Sequence, residues 1–499
     1  MPVCLLLLLL LSTVSVAAQP SPASVGLVDA LAAATTASPE VALASEAVAL
    51  ERANLRAAES AFETQVYAQL GGGQSQTPLT ALQQASVGSR TSGSGYAQYE
   101  AGASRRFRSG LQLAPLVRVT RTDAEGTLAA VETQALLSLT YPVLGARSRD
   151  VTVAQEKAAY RRIAAADLDR TRTAEVAALQ VAVAYWDYVG AGLVRDALVS
   201  AEGRAARLLE ETEALVEADE RPAADLVPLR ADLARRRAAR LGAEQSLFDA
   251  RQRLGLAMGG SAELATSLGT PADALPTIPA SIEADEAALM SLALDARVDL
   301  RAADARLAAV ERELGARRWD RRPSVDIVVE GGYRGLSEDV AGPQHYLPVG
   351  LNSARGTQFG VTLRLNRLST AAADAAFQQS LAQRERARIA RDDLARRVRA
   401  DVSSALAALR SAAAEVAQTR EAVALYEEAV ENERRRLRLS MGTLFDVQIV
   451  EERLANAQTQ AVQAEVRYAQ ALASLHAATG TLIGTPEAAA ARIRTIPSL

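Results

Sequence analysis

Prolines stop at Pro348 and resume at Pro486, and from Ser369 to Ser440 glycine is missing too. A run of about 70 residues without either breaker predicts a helix about 105 Å long, at 1.5 Å per residue. The stretch from Pro142 to Pro222 is also free of proline. Ordinary globular helices have about 11 residues, so helices of this length belong to coiled coils or bundle staves. Composition agrees: alanine fills about a fifth of the chain, and aromatics only 4% of its 499 residues. Alanine favours helix and fills a core poorly. That suits long, closely packed helices and argues against a large enzyme core. Hydrophobic residues reach 49% and the net charge is −4, which excludes a disordered chain and a polyanion binder by bulk charge. One cysteine, Cys4, and two histidines, His345 in a loop and His476 on a helix, leave no set for a zinc cage, a thiol site or a Ser/His/Asp triad. Gly71-Gly72-Gly73 lacks the Lys-Ser/Thr of a phosphate loop. No enzyme activity, cofactor, metal or nucleic-acid partner is expected.

Residues Leu5 to Leu11 are all leucine, and Val16-Ala17-Ala18 offers a small-residue cleavage site. Residues 1–18 read as a secretory signal peptide. The alternative, a membrane anchor, falls short of about 20 apolar residues. Cys4 would leave with the signal. No later run has about 18 consecutive apolar residues, so any membrane crossing would fall to β-strands.

The rest of the chain is duplicated. At an offset of 221, Val181 falls on Val402, Asp225 on Asp446, Leu233 on Leu454 and Gly259 on Gly480. Upstream, Pro39-Glu40-Val41 pairs with Val298-Asp299-Leu300 at an offset of 259. The first half therefore carries about 38 extra residues. The repeats are 19–259 (a helix, strands within 64–144, a helical hairpin over 145–259) and 287–480 (a helix, strands within 324–368, a hairpin over 369–480). Residues 260–286 link them, and 481–499 form a tail.

The last helix repeats Val447, Val450, Leu454, Ala457, Ala461, Ala464, Tyr468, Ala471, Leu475 and Ala478 at a 3–4 spacing, a seam that needs a partner helix. The equivalent seam of Leu226 to Ala257 is apolar except for Arg236 and Arg240, and Leu409, Val416, Val423, Val430 and Leu437 recur every seven residues. Between helices the period becomes two. Phe359, Val361, Leu363 and Leu365 alternate with polar neighbours, as do Val325, Ile327, Val329 and Tyr333, then Val66, Ala68 and Leu70, then Leu137, Leu139 and Tyr141. Such strands suit a membrane barrel, and equally a soluble antiparallel sheet on a core. The exported compartment tips the reading to the barrel. Tyr96 to Ser104 and Leu111 to Arg121 add a hairpin within the extra residues, which would either enlarge the barrel or cap it. Gly71-Gly72-Gly73 and Thr91 to Gly95 read as loop. Tyr67, Tyr141, Tyr333 and Phe359 suit an aromatic belt at the membrane interface or ordinary barrel positions.

These features together resemble the TolC-type outer-membrane efflux protein family. The resemblance rests on Arg297-Val298-Asp299-Leu300-Arg301-Ala302-Ala303, Thr140-Tyr141-Pro142-Val143-Leu144, and Gly442-Thr443-Leu444-Phe445-Asp446-Val447 leading to Arg467-Tyr468 and Gly480-Thr481-Leu482. Departures are Val298 in place of the usual proline, Leu365-Asn366-Arg367-Leu368 without a Pro-Leu-Phe pattern, and a first tip, Asp219-Glu220-Arg221-Pro222, without Gly-Thr. The resemblance implies a mostly α protein with membrane β. Duplicated antiparallel helices would form a periplasmic tunnel. Strands from three protomers would form a shared outer-membrane barrel, four strands each in the family. The long helices would be Arg147 to Asp219 and Ser369 to Ser440. Pro39 to Phe62, Ala223 to Met258, Ala287 to Trp319 and Thr443 to Thr479 would stack beside them. Gly260 to Asp285 and the tail would form a girdle.

The implied function is an export channel for a tripartite efflux or type I secretion system. Its partners would be a homotrimer's other two copies, outer-membrane lipid, a periplasmic adaptor and an inner-membrane pump. The rival is a periplasmic coiled-coil adaptor or scaffold. Asp446 sits where the family has an aspartate ring at the tunnel mouth, and its repeat partner Asp225 is a second candidate. Each also reads as a plain carboxylate at a helix N-terminus. Gly442, Thr443 and Leu444, with Arg221, Pro222 and Ala223, are the adaptor-contact candidates, or simply turn chemistry. Arg434-Arg435-Arg436 and Arg235-Arg236-Arg237 read as solvated, ion-paired helix faces.

Overall fold

A computed structural model describes residues 24–124, 128–144, 149–279, 282–338, 354–366, 371–439, 441–482 and 486–495. Residues 1–18, the expected signal peptide with Cys4, lie outside the described residues, as do His345, Arg367-Leu368 and Ser440. The chain runs α1 (Leu27–Ala37), α2 (Pro39–Ser60), β1 (Thr64–Pro78), α3 (Ala81–Val87), β2 (Thr91–Arg106), β3 (Gln112–Ala124), β4 (Ala130–Leu144), α4 (Arg149–Thr152) and α5 (Ala154–Glu217). It continues with α6 (Leu226–Ala257), α7 (Ala262–Ser267), α8 (Glu286–Ala296), α9 (Val298–Asp320), β5 (Ser324–Glu338), β6 (Ala354–Asn366), α10 (Ala371–Arg438), α11 (Leu444–Thr479) and α12 (Pro486–Arg492). The two long helices have 64 and 68 residues, as the missing prolines require. Two stretches, Leu27–Ser60 and Ala154–Glu217, are apolar and long enough to cross a membrane by composition. The first is interrupted at Ser38, and the second places Tyr185 and Trp186 in a protein core.

Two compact units divide the chain. The first holds residues 24–43, 171–297 and 396–495. Its core joins Leu27 and Leu31 of α1 to Tyr185 and Trp186 of α5, Leu254 of α6, Ala469 and Ala473 of α11, and Ile493. Tyr185 and Trp186 meet edge-on at 5.3 Å. Alanine dominates the rest, so the helix axes approach closely. On α11 the seam residues Val447, Leu454, Ala457, Ala464, Tyr468, Leu475 and Ala478 are buried. On α6 the seam keeps Arg236 inside by pairing it with Asp232 at 2.7 Å, and Arg240 pairs with Glu202 at 2.7 Å. Arg434, Arg436 and Arg235 also have carboxylate partners, so the triple-arginine runs carry ion pairs.

One sequence expectation fails here. Ala287 to Trp319 is not one helix: it breaks between α8 and α9 at Arg297, whose ψ is 120°. The repeat-related break lies between α1 and α2 at Ser38, with ψ 128°. There Pro39 explains it, because a residue before proline is pushed out of the helical region. Val298 has no such effect, and packing takes over. Arg297 is buried and its guanidinium reaches Asp401 at 2.9 Å. The helix-ending glycines sit on these breaks. Gly259 has φ +77°, and a Cβ there would lie 2.3 Å from the Ala37 carbonyl oxygen. Gly480 has φ +70°, and its Cβ would lie 3.1 Å from the Arg297 backbone.

Segment 260–285 and the tail also pack into this first unit. Asp273 accepts from the Leu27 N–H (2.6 Å), the Tyr185 hydroxyl (2.8 Å) and Arg494. Burial pushes its carboxyl up, but these donors outweigh it and hold the pKa below the usual value. Three remote parts of the chain are thereby tied to α5.

The second unit holds residues 44–170 and 298–395. It contains a single antiparallel sheet in the order β1-β2-β3-β4-β5-β6. Gly71-Gly72-Gly73 and Thr91 to Gly95, read as loop, are strand: Gly72 pairs with Ala97, Gly73 with Tyr96 and Gly95 with Gln74. The glycines make room for aromatic rings. A Cβ on Gly73 would lie 2.9 Å from the Tyr96 ring, and one on Gly102 2.7 Å from the Tyr67 ring. Pro115 sits inside β3 and lacks an N–H, and the β2–β3 pairing lapses between Gly102 and Arg105.

Candidate functional site: the strand wall and the hairpin tips

Side chains alternate across a strand, so register decides which residues share a face. The register puts Val66, Ala103, Pro115, Leu137, Gly331 and Phe359 in one row, with Ala103 opposite Pro115 across the lapse in pairing. The next row on that face is Ala68, Ala101, Val117, Ala135, Tyr333 and Thr357. Leu113, Leu139, Val329 and Val361 extend it. The charged residues described on this face, Arg105, Arg121 and Asp123, stand near strand ends, and Arg121 pairs with Asp123 at 2.9 Å.

The opposite face is mostly polar, interrupted by Leu116, Leu136, Val328 and Leu336. The charges of Glu100, Arg118, Glu132 and Arg334 on it are paired across strands. The Tyr67 hydroxyl donates to Glu100 at 2.8 Å, Arg118 reaches the other Glu100 oxygen at 2.6 Å, and Arg334 meets Glu132 at 2.7 Å. Tyr67 therefore does not belong to an apolar belt; Tyr141, Tyr333 and Phe359 do share the apolar face.

The hairpin tips lie in the first unit. The turn after α5 has no glycine, and Asp219 itself takes the left-handed conformation, φ 59°. Pro222 precedes a short 3-10 turn, Ala223–Asp225. The Asp225 carboxylate does not cap α6. It turns back to Arg221 at 3.3 Å. At the second tip Thr443 and Asp446 form a capping box: the Thr443 hydroxyl and N–H donate to Asp446 at 2.7 and 3.1 Å, and the Asp446 N–H donates back at 3.2 Å. These bonds, with the Arg436 charge, hold the Asp446 carboxyl below its usual pKa. Asp446 is exposed, Gly442 and Leu444 are half-buried, and Pro222 and Ala223 are exposed. Just past the tips, α6 and α11 are joined by Gln448 donating to the Pro228 carbonyl at 3.3 Å.

Sequence reading missed Glu451. This buried carboxylate is clamped by Arg204 of α5 at 2.9 Å and Arg434 of α10 at 2.5 Å. The signal was present: Glu451 lies one turn after Val447 on the seam side, where an unpaired acid is costly. Also missed was His476, buried with one ring nitrogen 2.7 Å from the Thr481 hydroxyl and the other 2.7 Å from the Thr495 carbonyl. The carbonyl only accepts, so that nitrogen carries a proton, while the Thr481 hydroxyl can accept from the other nitrogen or donate to it. Burial pushes its pKa down.

The sequence profile of the outer membrane efflux protein family matches residues 289–481. No curated protein matches the chain by sequence. Among solved structures, the outer-membrane channel OprN superposes with a TM-score of 0.67 at 16% identity, over 91% of this chain and 89% of its own. The outer membrane protein VceC of Vibrio cholerae gives 0.64 at 16%, over 91% and 96%. The Campylobacter jejuni outer membrane channel CmeC gives 0.65 at 14%, over 92% and 86%. Residues 289–481 thus match the outer membrane efflux protein family, and along nearly its whole length the chain shares the fold of these outer-membrane channels.

Proposed function

We propose that three copies of this chain form an outer-membrane export channel. The observation that carries this is the sheet: one continuous apolar face over six strands, backed by a polar, ion-paired face. Lipid outside and water inside need that arrangement. The long helices would line the periplasmic passage, and the channel would be passive, with energy supplied by an inner-membrane pump through a periplasmic adaptor. The adaptor would meet Gly442, Thr443 and Leu444 together with Arg221, Pro222 and Ala223. Asp446 would form the threefold ring that narrows the mouth. Its low pKa keeps it charged, so three such carboxylates would attract cations and repel one another. Asp225, held by Arg221, is the candidate for a second ring.

The test is cell fractionation followed by imaging of the detergent-extracted protein. Recovery with outer membranes as threefold tubes is expected. Release with the soluble periplasm, as particles without a barrel end, overturns the channel in favour of a scaffold.

A further inference from the structure

The two repeats do not contribute equally to the sheet. The second supplies two strands, β5 and β6, and the first supplies four. The excess is β2 and β3, which occupy the extra residues of the first half. They are not a cap. They lie in the interior of the sheet, hydrogen-bonded between β1 and β4. With 16 and 13 residues, both exceed the roughly 9–11 that a tilted strand needs to cross a bilayer. Tyr99, Ala101, Val117 and Val119 continue the apolar face, while Gln98, Glu100, Arg118 and Thr120 continue the polar one. The turn between them closes with the Phe107 N–H on the Leu111 carbonyl at 2.7 Å. It is pinned to helix: Arg108 makes a two-pronged bond to the Glu156 carboxylate, at 2.8 and 2.9 Å, and lies 5.0 Å over the Phe62 ring.

We propose that this hairpin widens the barrel, so that each copy gives six strands and three copies close an 18-strand wall. The proposal rests on the three-copy channel above. Among the described residues the outer edges of β1 and β6 pair with no other strand, and a second copy of this chain is the occupant of each. The strands run in opposite directions, so β6 of one copy beside β1 of the next keeps the sheet antiparallel. Only an even number of strands per copy allows that, which is why the insertion is a hairpin and not a single strand. Within the sheet, the barest large apolar side chains lie on these edge strands: Leu70 at 88%, Val66 at 78% and Phe359 at 77% exposed.

At about 4.8 Å between strands and about 40° of tilt, 18 strands give a backbone radius of about 18 Å, against about 12 Å for 12 strands. The enclosed area rises about 2.3-fold, as the square of the strand ratio. At that radius the membrane section is not the narrow part. Restriction falls to the hairpin tips.

The test uses the full chain with Cys4→Ser, removing its only cysteine. Gln98→Cys and Thr120→Cys mark the polar face of the inserted hairpin, and Ala97→Cys and Val117→Cys the apolar face. In reconstituted vesicles a charged thiol reagent is expected to modify the first pair and spare the second. Equal modification of both faces overturns the proposal, because a hairpin outside the wall is wet on both sides. Electron cryo-microscopy of the unmodified trimer gives the strand count directly. Eighteen strands support the proposal. Twelve, with the hairpin outside the ring, overturn it while the channel stands. Particles without any barrel overturn both.

Discussion

Gly259 ends α6 where its repeat partner Gly480 ends α11; the first rests on the break between α1 and α2, the second on the break between α8 and α9. Replacing Gly259 by alanine does two things. It places a side chain at φ +77°, which costs about 1–2 kcal/mol for an L-residue. It also drives Cβ to 2.3 Å from the Ala37 carbonyl oxygen, a backbone atom that cannot swing aside. Moving it disturbs the helix end, where Gly259 and Gly260 N–H groups bond to Leu256 and Gly255. The sum is about 3–5 kcal/mol, in the range of backbone-strain substitutions. Gly480→Ala meets Arg297 at 3.1 Å, so it should cost about 1–3 kcal/mol, mostly from its φ. Gly242 lies inside α6 with nothing within 4 Å of its Cβ position, so alanine there should stabilise by about 0.5–1 kcal/mol. Thermal unfolding of the detergent-solubilised protein by far-ultraviolet circular dichroism reads the order. Gly242→Ala should melt at or above the wild type, Gly480→Ala below it, and Gly259→Ala lowest, by about 3–5 °C. A Gly259→Ala variant melting with the wild type would refute the reasoning.

Glu451→Gln leaves two guanidiniums facing a neutral amide, and should loosen the start of α11 by about 2–3 kcal/mol, because Arg204 and Arg434 are only partly buried. Glu452→Gln, whose pair with Arg235 is exposed, should cost below about 1 kcal/mol; equal hydrogen exchange in the two variants would contradict this. For His476 the folded pKa is lowered, so the unfolded chain binds more protons below its ordinary value of about 6.5. Stability is full above that value and declines as pH falls toward the folded pKa. A melting curve that is flat between neutral and mildly acid pH, or one whose slope survives in His476→Gln, would count against it. Asp446→Asn removes the charge held by the capping box. It should weaken cation preference in single-channel recordings while α11 remains folded, and unchanged selectivity would remove Asp446 from the proposed ring.

The strands were legible because apolar and polar residues alternate from Phe359 to Leu365 and from Val325 to Tyr333. Their register was not, since it depends on pairing between segments up to two hundred residues apart, such as Ala135 with Tyr333. Gly71-Gly72-Gly73 misled because glycine signals a loop locally, while here it accommodates Tyr96. The break at Arg297 carried no proline or glycine of its own; its cause lies in Gly480 and Asp401, remote in sequence. The tips were placed by their turn residues, yet the different fates of Asp225 and Asp446 followed from Arg221 and Thr443, which only the folded turn brings to them. Asp273 was illegible, a lone acid in a proline-rich segment whose partners come from α1, α5 and the tail.

The central claim is that the sheet is a membrane wall around water. Planar-bilayer recording of the purified full-length protein tests it most directly. The account predicts discrete, stable ion-conducting steps, partly blocked when a charged thiol reagent modifies Gln98→Cys and unaffected by the same reagent on Val117→Cys. A protein that inserts without conducting, or conducts identically whichever face is modified, would contradict it.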